Sequence, residues 1–211
     1  LPVKTVSIDK VEADDIIAYL SKTIPQHPKD KAFIVSSDKD FLQLVNDNVI
    51  VYRPIEKEYY TSQTVIDRYK ISPHNFILHK TLLGDNSDKI KGVKGLGEKG
   101  LLKKFPELVE KDMNWGDILN ICENKMSDHV VYARIIHGQD DLAKNYKIMD
   151  LSNPMLSKED KEWLDKVVES NDLSYYPNQF VAMYNEDQIG GLIRNVEFWV
   201  KDCFQNLVIK K

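Results

Sequence analysis

The sequence predicts an α/β fold with a mainly parallel sheet, followed by a helical C-terminal region. The first indication is a buried-type strand, Ala32–Ser37, that leads through two acidic residues into a short helix at Phe41–Val45. An apolar strand followed directly by a helix is typical of a layered sheet with helices packed on it. The second indication is the segment Val11–Ile24, which has helical spacing of its apolar residues and precedes that strand.

The other elements are assigned in order from β-branched runs, helical spacing and capping residues. Strands are predicted at Val3–Ile8, Val49–Tyr52 and Glu58–Tyr60, and helices from Thr61 or Ser62 to Tyr69 and from Ser72-Pro73 to Leu83. After Phe105 the pattern is helical throughout, with helices predicted at Leu108–Val131 (interrupted near Met113–Trp115), at Val130–Leu142, from Lys158, and at Asp187–Leu207. The tryptophans and the Tyr175-Tyr176 pair are predicted to be core residues rather than base-stacking platforms.

Composition limits the classes of function. The chain has 211 residues, is 42% hydrophobic and carries a net charge of −4, so any contact with nucleic acid must be local. No apolar run reaches the ~18 residues of a membrane span, and we expect no membrane partner. The two cysteines, Cys122 and Cys203, fit no metal-binding spacing and are predicted to be buried free thiols in a reducing compartment.

Acidic residues recur at three places in the first half of the chain. They are Glu12, Asp14 and Asp15 at the start of the first helix, Asp38 and Asp40 after the buried strand, and Asp85 and Asp88 after the helix that ends at Leu83. Helix capping and the helix dipole can explain single acids at such positions, but they do not explain three in four residues. Ligands of α/β sheets bind at the carboxyl ends of strands, which is where the second set falls.

The spacing within these sets predicts that they share a task. Asp85 and Asp88 are three residues apart, so one helical turn would place both on the same side. Carboxylates that converge raise one another's pKa unless cations are present, and all-oxygen ligands select Mg²⁺ or Mn²⁺ rather than zinc. Two such ions support in-line hydrolysis of a phosphodiester bond. The acids therefore predict metal-dependent phosphodiester chemistry.

A basic, glycine-rich turn follows the last pair of acids. From Lys89 to Lys104 there are six lysines and a single acid, Glu98, and the turn itself reads Gly92-Val93-Lys94-Gly95-Leu96-Gly97. Glycines at a helix start allow backbone N–H groups to face an anion, although the same pattern also forms a simple tight turn between packed helices. Within I-K-G-V-K-G-L-G-E-K-G it resembles the helix-hairpin-helix DNA-binding motif. That resemblance implies contact with duplex phosphates, largely independent of base sequence.

Four blocks extend the resemblance to a family. E-A-D-D-I-I-A, S-S-D-K-D-F-L-Q-L, T-S-Q-T-V-I-D-R-Y-K-I-S-P and L-L-G-D-N-S-D-K-I-K-G-V-K-G-L-G-E-K-G resemble, in order and spacing, the 5′-nuclease (flap endonuclease) family. Its members include the 5′-nuclease domain of DNA polymerase I and the phage ribonuclease H of the T-even type. The resemblance covers roughly Ile8–Lys104 and implies a PIN-like core with 5′→3′ exonuclease and flap endonuclease activity in primer or flap removal.

The resemblance also implies roles by position. Glu12, Asp14 and Asp38 would line a first metal with Asp40 close by, Asp85 and Asp88 would serve a second, and Asp15 would support the cluster. The implied DNA contacts are Lys89, Lys91, Gly92, Val93, Lys94, Gly95, Leu96, Gly97 and Lys99. The implied cofactors are two Mg²⁺, for which Mn²⁺ substitutes, and K⁺ held by backbone carbonyls of the hairpin. Where the family has Thr-Ala after the lysine, this sequence has Gly100-Leu101.

Three parts are predicted: residues 1–83 as the C-terminal portion of a PIN-like core, 84–150 as the metal-ligand loop with the hairpin and adjoining helices, and 151–211 as a helical region. Family members carry a longer front segment with two Asp-bearing strands and a helical arch, for which this sequence has no counterpart.

The implied partners are duplex DNA with 5′-flap, nicked or primer-containing ends and a single-strand-binding or other replication protein at Phe204–Lys211. The expected location is the cytoplasm of a bacterium or phage-infected cell. The open alternatives are a non-catalytic duplex-binding fragment and a PIN-type ribonuclease.

Overall fold

The structure, a computed structural model, describes residues 1–170, 173–187 and 191–204. Contacts divide the chain into two units, of which the larger is Lys10–Leu156. The smaller unit combines Leu1–Asp9 with the described part of Ser157–Lys211. Among the described residues, no helix has the length and apolar character needed to cross a membrane.

The larger unit contains the α/β layer that the sequence predicts. Strands β1 (Ala32–Val35), β2 (Val49–Arg53) and β3 (Glu58–Tyr60) form one sheet in that order. The β1–β2 pair is parallel and the β2–β3 pair is an antiparallel hairpin. One face packs into the core through residues such as Val51 and Tyr60, which are fully buried, whereas Phe33 and Val35 on the other face are exposed. The sheet is therefore an α/β layer with one covered face.

Helices and one short two-stranded sheet complete this unit. In order they are α1 (Ala13–Thr23), a 3₁₀ helix (Asp40–Leu44), α2 (Ser62–Tyr69), a 3₁₀ turn (Pro73–Asn75), α3 (Phe76–Leu83), β4 (Gly84–Asp85), β5 (Ile90–Lys91), α4 (Glu98–Lys104), α5 (Glu107–Glu110), α6 (Trp115–Asn124), α7 (Val130–His137) and α8 (Gln139–Met149). A continuous core runs from the sheet through α3 to α8, with Leu42, Leu78, Leu101 and Ile135 fully buried.

Capping residues account for several helix starts. Thr61 accepts a hydrogen bond from the Thr64 amide at the start of α2, and Ser72 accepts one from Asn75 before α3. Asn114 and Asp117 form a capping box at the start of α6, in which each side chain accepts the other residue's backbone N–H. These caps confirm the helix starts predicted at Thr61 and Ser72.

Three predicted elements have other bounds or are absent. In the helix predicted at Leu108–Val131, the interruption predicted near Met113–Trp115 is present between α5 and α6, but α6 ends at Asn124. The helix predicted at Val130–Leu142 is interrupted at Gly138, which ends α7 and precedes α8. Val3–Ile8 forms no strand. Among the described residues it pairs with no strand, and the Lys4 ammonium donates to the carbonyls of Val168 and Ser170, both at 2.5 Å.

The smaller unit is helical where it is described. Its helices are α9 (Lys158–Glu169), α10 (Pro177–Glu186) and α11 (Val196–Phe204), and Ser157 and Asp160 form a capping box at the start of α9. The helix predicted at Asp187–Leu207 begins only at Val196, because residues 191–195 form turns; the predicted residues 188–190 and 205–207 lie outside the described part of the chain. The predicted docking tail also lies outside it, apart from Phe204.

Three side chains predicted to be buried are exposed. Trp163 and Tyr176 are 42% and 58% exposed, and Cys203 is an exposed thiol. Cys122, by contrast, is buried as predicted, and burial raises the pKa of its thiol to about 12. Trp163 and Cys203 lie in α9 and α11, where helical spacing does not distinguish a narrow apolar stripe from its flanks, and Tyr176 is the N-cap residue of α10.

His79 gives the larger unit a pH-dependent stability. Its ring stacks on Phe76 at a centroid distance of 5.5 Å and meets Tyr69 edge-on. Burial lowers its pKa below the ordinary 6.5, and Lys39 lowers it further, although Glu98 opposes both effects. The folded protein therefore resists protonation of His79, so its contribution to stability is present above pH 6.5 and is lost as the pH falls through the lowered value.

We expect the His79→Gln variant to lose less stability than the wild type between pH 7.5 and pH 5. The measurement is the urea midpoint of unfolding at both pH values. His74→Gln is the matched control, because His74 lies on the preceding 3₁₀ turn but is exposed, and it should leave the pH dependence unchanged. Equal pH dependence in the His79 variant and the wild type would contradict this role.

Candidate functional site

The first set of acids lies at the start of α1. Glu12 is the N-cap residue of this helix and makes no side-chain capping bond, whereas Asp14 and Asp15 lie in its first turn. Asp15 points inward: it is 8% exposed, and its Oδ1 accepts the Met155 amide at 2.7 Å. At the start of this helix, Glu12 is thus exposed and Asp14 is half-buried, while Asp15 ties the helix start to the chain after α8.

The second set lies in the loop that follows β1. The Asp38 amide donates to the Ser36 hydroxyl at 3.1 Å, and the Asp40 amide donates to Asp38 Oδ1 at 2.9 Å. This turn directs the chain from the strand into the 3₁₀ helix that begins at Asp40. The two acids therefore stand at the carboxyl end of a strand, as the sequence predicts for an α/β sheet.

The third set adopts a different local structure from the predicted helical turn. Gly84 ends α3 with a φ of +81°, and the chain then forms the β4–β5 hairpin, in which Asp85 is paired with Ile90. The Ser87 amide donates to Asp85 Oδ1 at 2.8 Å, and Lys89 has a φ of +58°. The expectation that Asp85 and Asp88 share one side of a helix was wrong, because the glycine reverses the chain before a helical turn can form.

Six of the seven predicted metal-ligating acids line one cavity of about 440 Å³. They are Glu12, Asp14, Asp15, Asp38, Asp40 and Asp88. The described lining of this cavity includes no lysine, arginine or histidine. Asp85 lines a neighbouring cavity of about 630 Å³, together with Asp38 and Lys80. The structure thus gathers acids from three separate parts of the sequence at one place.

The electrostatics of the cavity favour a cation. The pKa of Asp14 is raised by burial first, and then by repulsion from Asp38, Glu12, Asp15 and Asp88. A carboxylate surrounded by carboxylates is stabilised in its charged form when a positive ion is added. The oxygen-only lining suits a hard divalent ion such as Mg²⁺ in its chemistry. Among the described residues, however, no three acidic, histidine or cysteine side chains are grouped closely enough to hold one ion.

A cation that was not predicted lies beside these acids. Lys80, in the last turn of α3, forms ion pairs with Asp40 and with Asp85, the latter at 2.6 Å. Burial alone would raise the pKa of Asp85, but hydrogen bonds from Lys80 and Ser87 hold it well below its ordinary value. The available signal was a lysine within the apolar run Phe76–Leu83, where a charged side chain needs a partner.

The glycine-rich turn connects this region to α4. Val93 and Leu96 are buried, and the Val93 amide donates to the Leu82 carbonyl at 2.8 Å, which fixes the turn against the end of α3. Gly95 has a φ of +82°. The remaining predicted DNA contacts, apart from the half-buried Gly92, are exposed: Lys89, Lys91, Lys94, Gly95, Gly97 and Lys99.

A second residue missed by the sequence analysis holds this turn from α7. The exposed Arg134 donates from Nη1 to the Lys94 carbonyl at 2.8 Å. The guanidinium therefore adds a positive charge beside the lysines of the turn and takes up one of its carbonyls. No sequence pattern predicted this contact, because Arg134 lies 40 residues after Lys94 and the sequence of α7 matches no specific motif.

Comparison with known proteins agrees with this arrangement. Residues 1–70 match the family model described as the 5′-3′ exonuclease, N-terminal resolvase-like domain. The chain is 34% identical over 155 residues to a 5′-3′ exonuclease of Aquifex aeolicus, covering 71% of this chain and 49% of that protein. It is 35% identical over 96 residues to the flap endonuclease Xni of Colwellia psychrerythraea, covering 46% of this chain and 33% of that protein.

The fold is also similar to a solved structure. The 5′-exonuclease of bacteriophage T5 aligns with a TM-score of 0.64 at 23% identity, covering 78% of this chain and 68% of the phage protein. The α/β layer with acids after its first strand is therefore similar to the PIN-like fold of that phage exonuclease. The sequence is also similar to those of 5′-3′ exonucleases and of a flap endonuclease. The chain spans about half the length of the Aquifex relative.

Proposed function

We propose that this chain acts in a metal-dependent 5′→3′ exonuclease and flap endonuclease that hydrolyses phosphodiester bonds of DNA and of RNA primers paired with DNA. The observation that carries the proposal is the cavity in which six acids meet without a basic side chain in its described lining. Beside it, the β4–β5 hairpin leads within a few residues to an exposed lysine-rich turn. Acids for a cation and lysines for a phosphate backbone are what such a reaction needs together.

Divalent cations in this cavity would supply an activated water and neutralise the charge that develops on the phosphate. Glu12, Asp14, Asp38 and Asp88 are the residues that would hold them, with Asp40 and Asp85 beside Lys80. Structures of the phage T5 protein contain metal ions, including zinc, and one contains DNA. We propose Mg²⁺ as the physiological ion, with Mn²⁺ as a substitute, because every acidic ligand offers oxygen.

The chain's own residues would bind and orient the substrate. The exposed side chains of Lys89, Lys91, Lys94 and Lys99 would contact the phosphates of duplex DNA. Asp38 and Asp40, which follow β1, would then face the DNA strand that is cut. We further propose a role in replication, in the cytoplasm of a bacterium or a phage-infected cell, with K⁺ at the hairpin and a replication protein as partner.

The proposal is tested by cleavage of a labelled 5′-flap duplex, with Mg²⁺ titrated from zero and a gel-shift control in Ca²⁺. Metal-dependent products cut at or near the flap junction would support it. Binding without cleavage would favour the alternative of a duplex-binding fragment. Preference for single-stranded RNA over flapped DNA would instead favour a PIN-type ribonuclease.

A prediction follows for the glycine-rich turn. A Cβ at Gly95 would lie 3.0 Å from Arg134 Nη1, and the φ of +82° disfavours a β-branched side chain. We expect Gly95→Val to weaken binding to duplex DNA by about tenfold, because strain of this kind costs about 1–3 kcal/mol and displaces the turn. The measurement is fluorescence anisotropy with labelled duplex in Ca²⁺ at fixed ionic strength.

Gly100→Ala is the matched control for this variant. Gly100 lies in α4, where an added Cβ would make an ordinary contact of 3.6 Å with Leu96 Cδ1. Duplex affinity should therefore stay at the wild-type value in the control. Unchanged affinity in Gly95→Val as well would remove the turn from the DNA-binding surface.

A further inference from the structure

Arg134 extends from α7 with its guanidinium against the glycine-rich turn. Its Nη1 donates to the Lys94 carbonyl at 2.8 Å, and a Cβ added at Gly95 would lie 3.0 Å from the same nitrogen. Arg134, Lys94 and Gly95 are all exposed. The guanidinium therefore lies on the surface of the turn, beside the lysines that precede α4.

The bond to the turn leaves the charge of this guanidinium unpaired. Its acceptor is a neutral carbonyl, and among the described residues no carboxylate forms an ion pair with Arg134. A guanidinium carries five N–H donors in a planar fork, so a single bond to a carbonyl leaves most of its donors available. A full positive charge with available donors at the surface suits an external anion.

A second set of contacts fixes α7 against this segment. The Tyr132 hydroxyl donates to the Lys104 carbonyl at 3.0 Å, and the Lys104 ammonium lies 5.7 Å from the centre of the Tyr132 ring. Ile135, the residue after Arg134, is fully buried in the core. The helix is thus attached both to the turn before α4 and to the end of α4, which gives the Arg134 backbone a fixed place.

We propose that Arg134 binds a phosphate of the DNA backbone and that the turn orients its guanidinium for this contact. The inference rests on the proposed function, because the phosphate belongs to the duplex that the lysines of the turn would bind. The Lys94 carbonyl holds one arm of the fork, so less side-chain freedom is lost when the other arm meets a phosphate. An arginine fork can also donate two N–H groups to one phosphate. The DNA-binding surface therefore continues from the turn onto α7.

A phosphate contact can be recognised from its response to salt. Each phosphate that a protein cation neutralises releases counterions, so the logarithm of the affinity falls with the logarithm of the salt concentration by about 0.9 per contact. Backbone contacts carry no base sequence, so the loss of one weakens binding to every duplex alike. An arginine that only held the turn in place would not change the salt dependence.

The test is the affinity of the chain for two labelled duplexes of unrelated sequence, measured by fluorescence anisotropy over a series of NaCl concentrations at fixed Ca²⁺. In Arg134→Gln we expect about tenfold weaker binding, because a charge-assisted hydrogen bond is lost, and a salt slope smaller by about 0.9. Both changes should be equal for the two duplexes. Arg134→Lys keeps the charge without the fork, so it should keep the wild-type slope and lose less affinity.

Lys31→Gln is the matched control. Lys31 is exposed and directly precedes β1, at the opposite end of this strand from Asp38 and Asp40. The substitution removes the same unit of charge away from the turn, so affinity and slope should stay at the wild-type values. The Tm of each variant reports whether it is folded, and Arg134→Met provides a second neutral side chain if the glutamine variant is not.

Four results would overturn the inference, and they can be told apart. If the neutral Arg134 variants bind both duplexes as the wild type does, Arg134 does not contact DNA. If their affinity falls while the salt slope is unchanged, Arg134 only holds the turn; in both cases the proposed function is untouched. An equal change in Lys31→Gln would reduce the effect to bulk charge. If the wild type itself binds neither duplex, the DNA-binding part of the proposed function fails along with the inference.

Discussion

The Asp38→Asn variant is expected to lose at least about 100-fold in cleavage rate while binding duplex DNA normally. Loss of even an indirect partner of a metal site costs about 10–100-fold, and a direct ligand costs at least as much. Asparagine retains the carbonyl oxygen that accepts the Asp40 amide, so the turn after β1 is preserved. Only the charge is removed, from a position whose carboxylate raises the pKa of Asp14.

The measurement is single-turnover cleavage of a 5′-flap duplex in Mg²⁺, with duplex affinity measured in parallel in Ca²⁺. Asp47→Asn is the control, since Asp47 is an exposed acid between the 3₁₀ helix and β2 and lies outside the acid cavity. A loss of binding equal to the loss of cleavage would contradict the division between acids for chemistry and lysines for DNA.

The position of the acids near one another could be predicted from the sequence, because each set lies beside a recognisable local pattern. Asp38 and Asp40 follow an apolar strand, and such strand ends converge at one edge of an α/β sheet. Glu12 and Asp14 precede a helix with clear apolar spacing. Local patterns of this kind limit where a side chain can lie. Six of the seven acids line one cavity although their sequence separation reaches 76 residues, from Glu12 to Asp88, and their role as metal ligands stays a prediction.

The orientation of the last pair could not be assigned in this way. The i, i+3 spacing of Asp85 and Asp88 fits a helical turn and also a tight hairpin, and the choice depends on Gly84 adopting a positive φ. The contacts of Lys80 and Arg134 were also beyond sequence analysis. Each partner lies about 40 residues away, and only the packing of α3 and α7 brings the groups together.

The helical C-terminal region was predicted least well. Its helices exist, but their ends were wrong wherever a glycine or an uncapped turn interrupts a continuous helical pattern, as at Gly138. Exposure was also misassigned for Trp163 and Tyr176. These errors share a cause: periodicity reports an apolar stripe, whereas the position of a break and the depth of a flanking side chain depend on tertiary contacts.

Gly92→Ala is expected to destabilise the larger unit strongly. A Cβ at Gly92 would overlap the carbonyl group of Leu83 and lie 2.5 Å from the Gly84 nitrogen, and these are backbone atoms that cannot rotate away. Gly84 and Gly92 therefore let the end of α3 and the start of the turn pass in direct contact. We expect a loss of about 3 kcal/mol or more, the upper range for overpacking, and a fall in Tm of roughly 6–12 °C.

Gly97→Ala is the matched control, because nothing lies within 4 Å of its added Cβ and its φ of −117° suits any residue. Its Tm in differential scanning calorimetry should stay within about 1 °C of the wild type. The difference in Tm between Gly92→Ala and Gly97→Ala also bears on the acid site, because Asp85 directly follows Gly84, which Gly92 contacts. If Gly92→Ala melts like Gly97→Ala, the contact between α3 and the turn is not needed for stability, and the position of Asp85 would have to depend on the Lys80 ion pair alone.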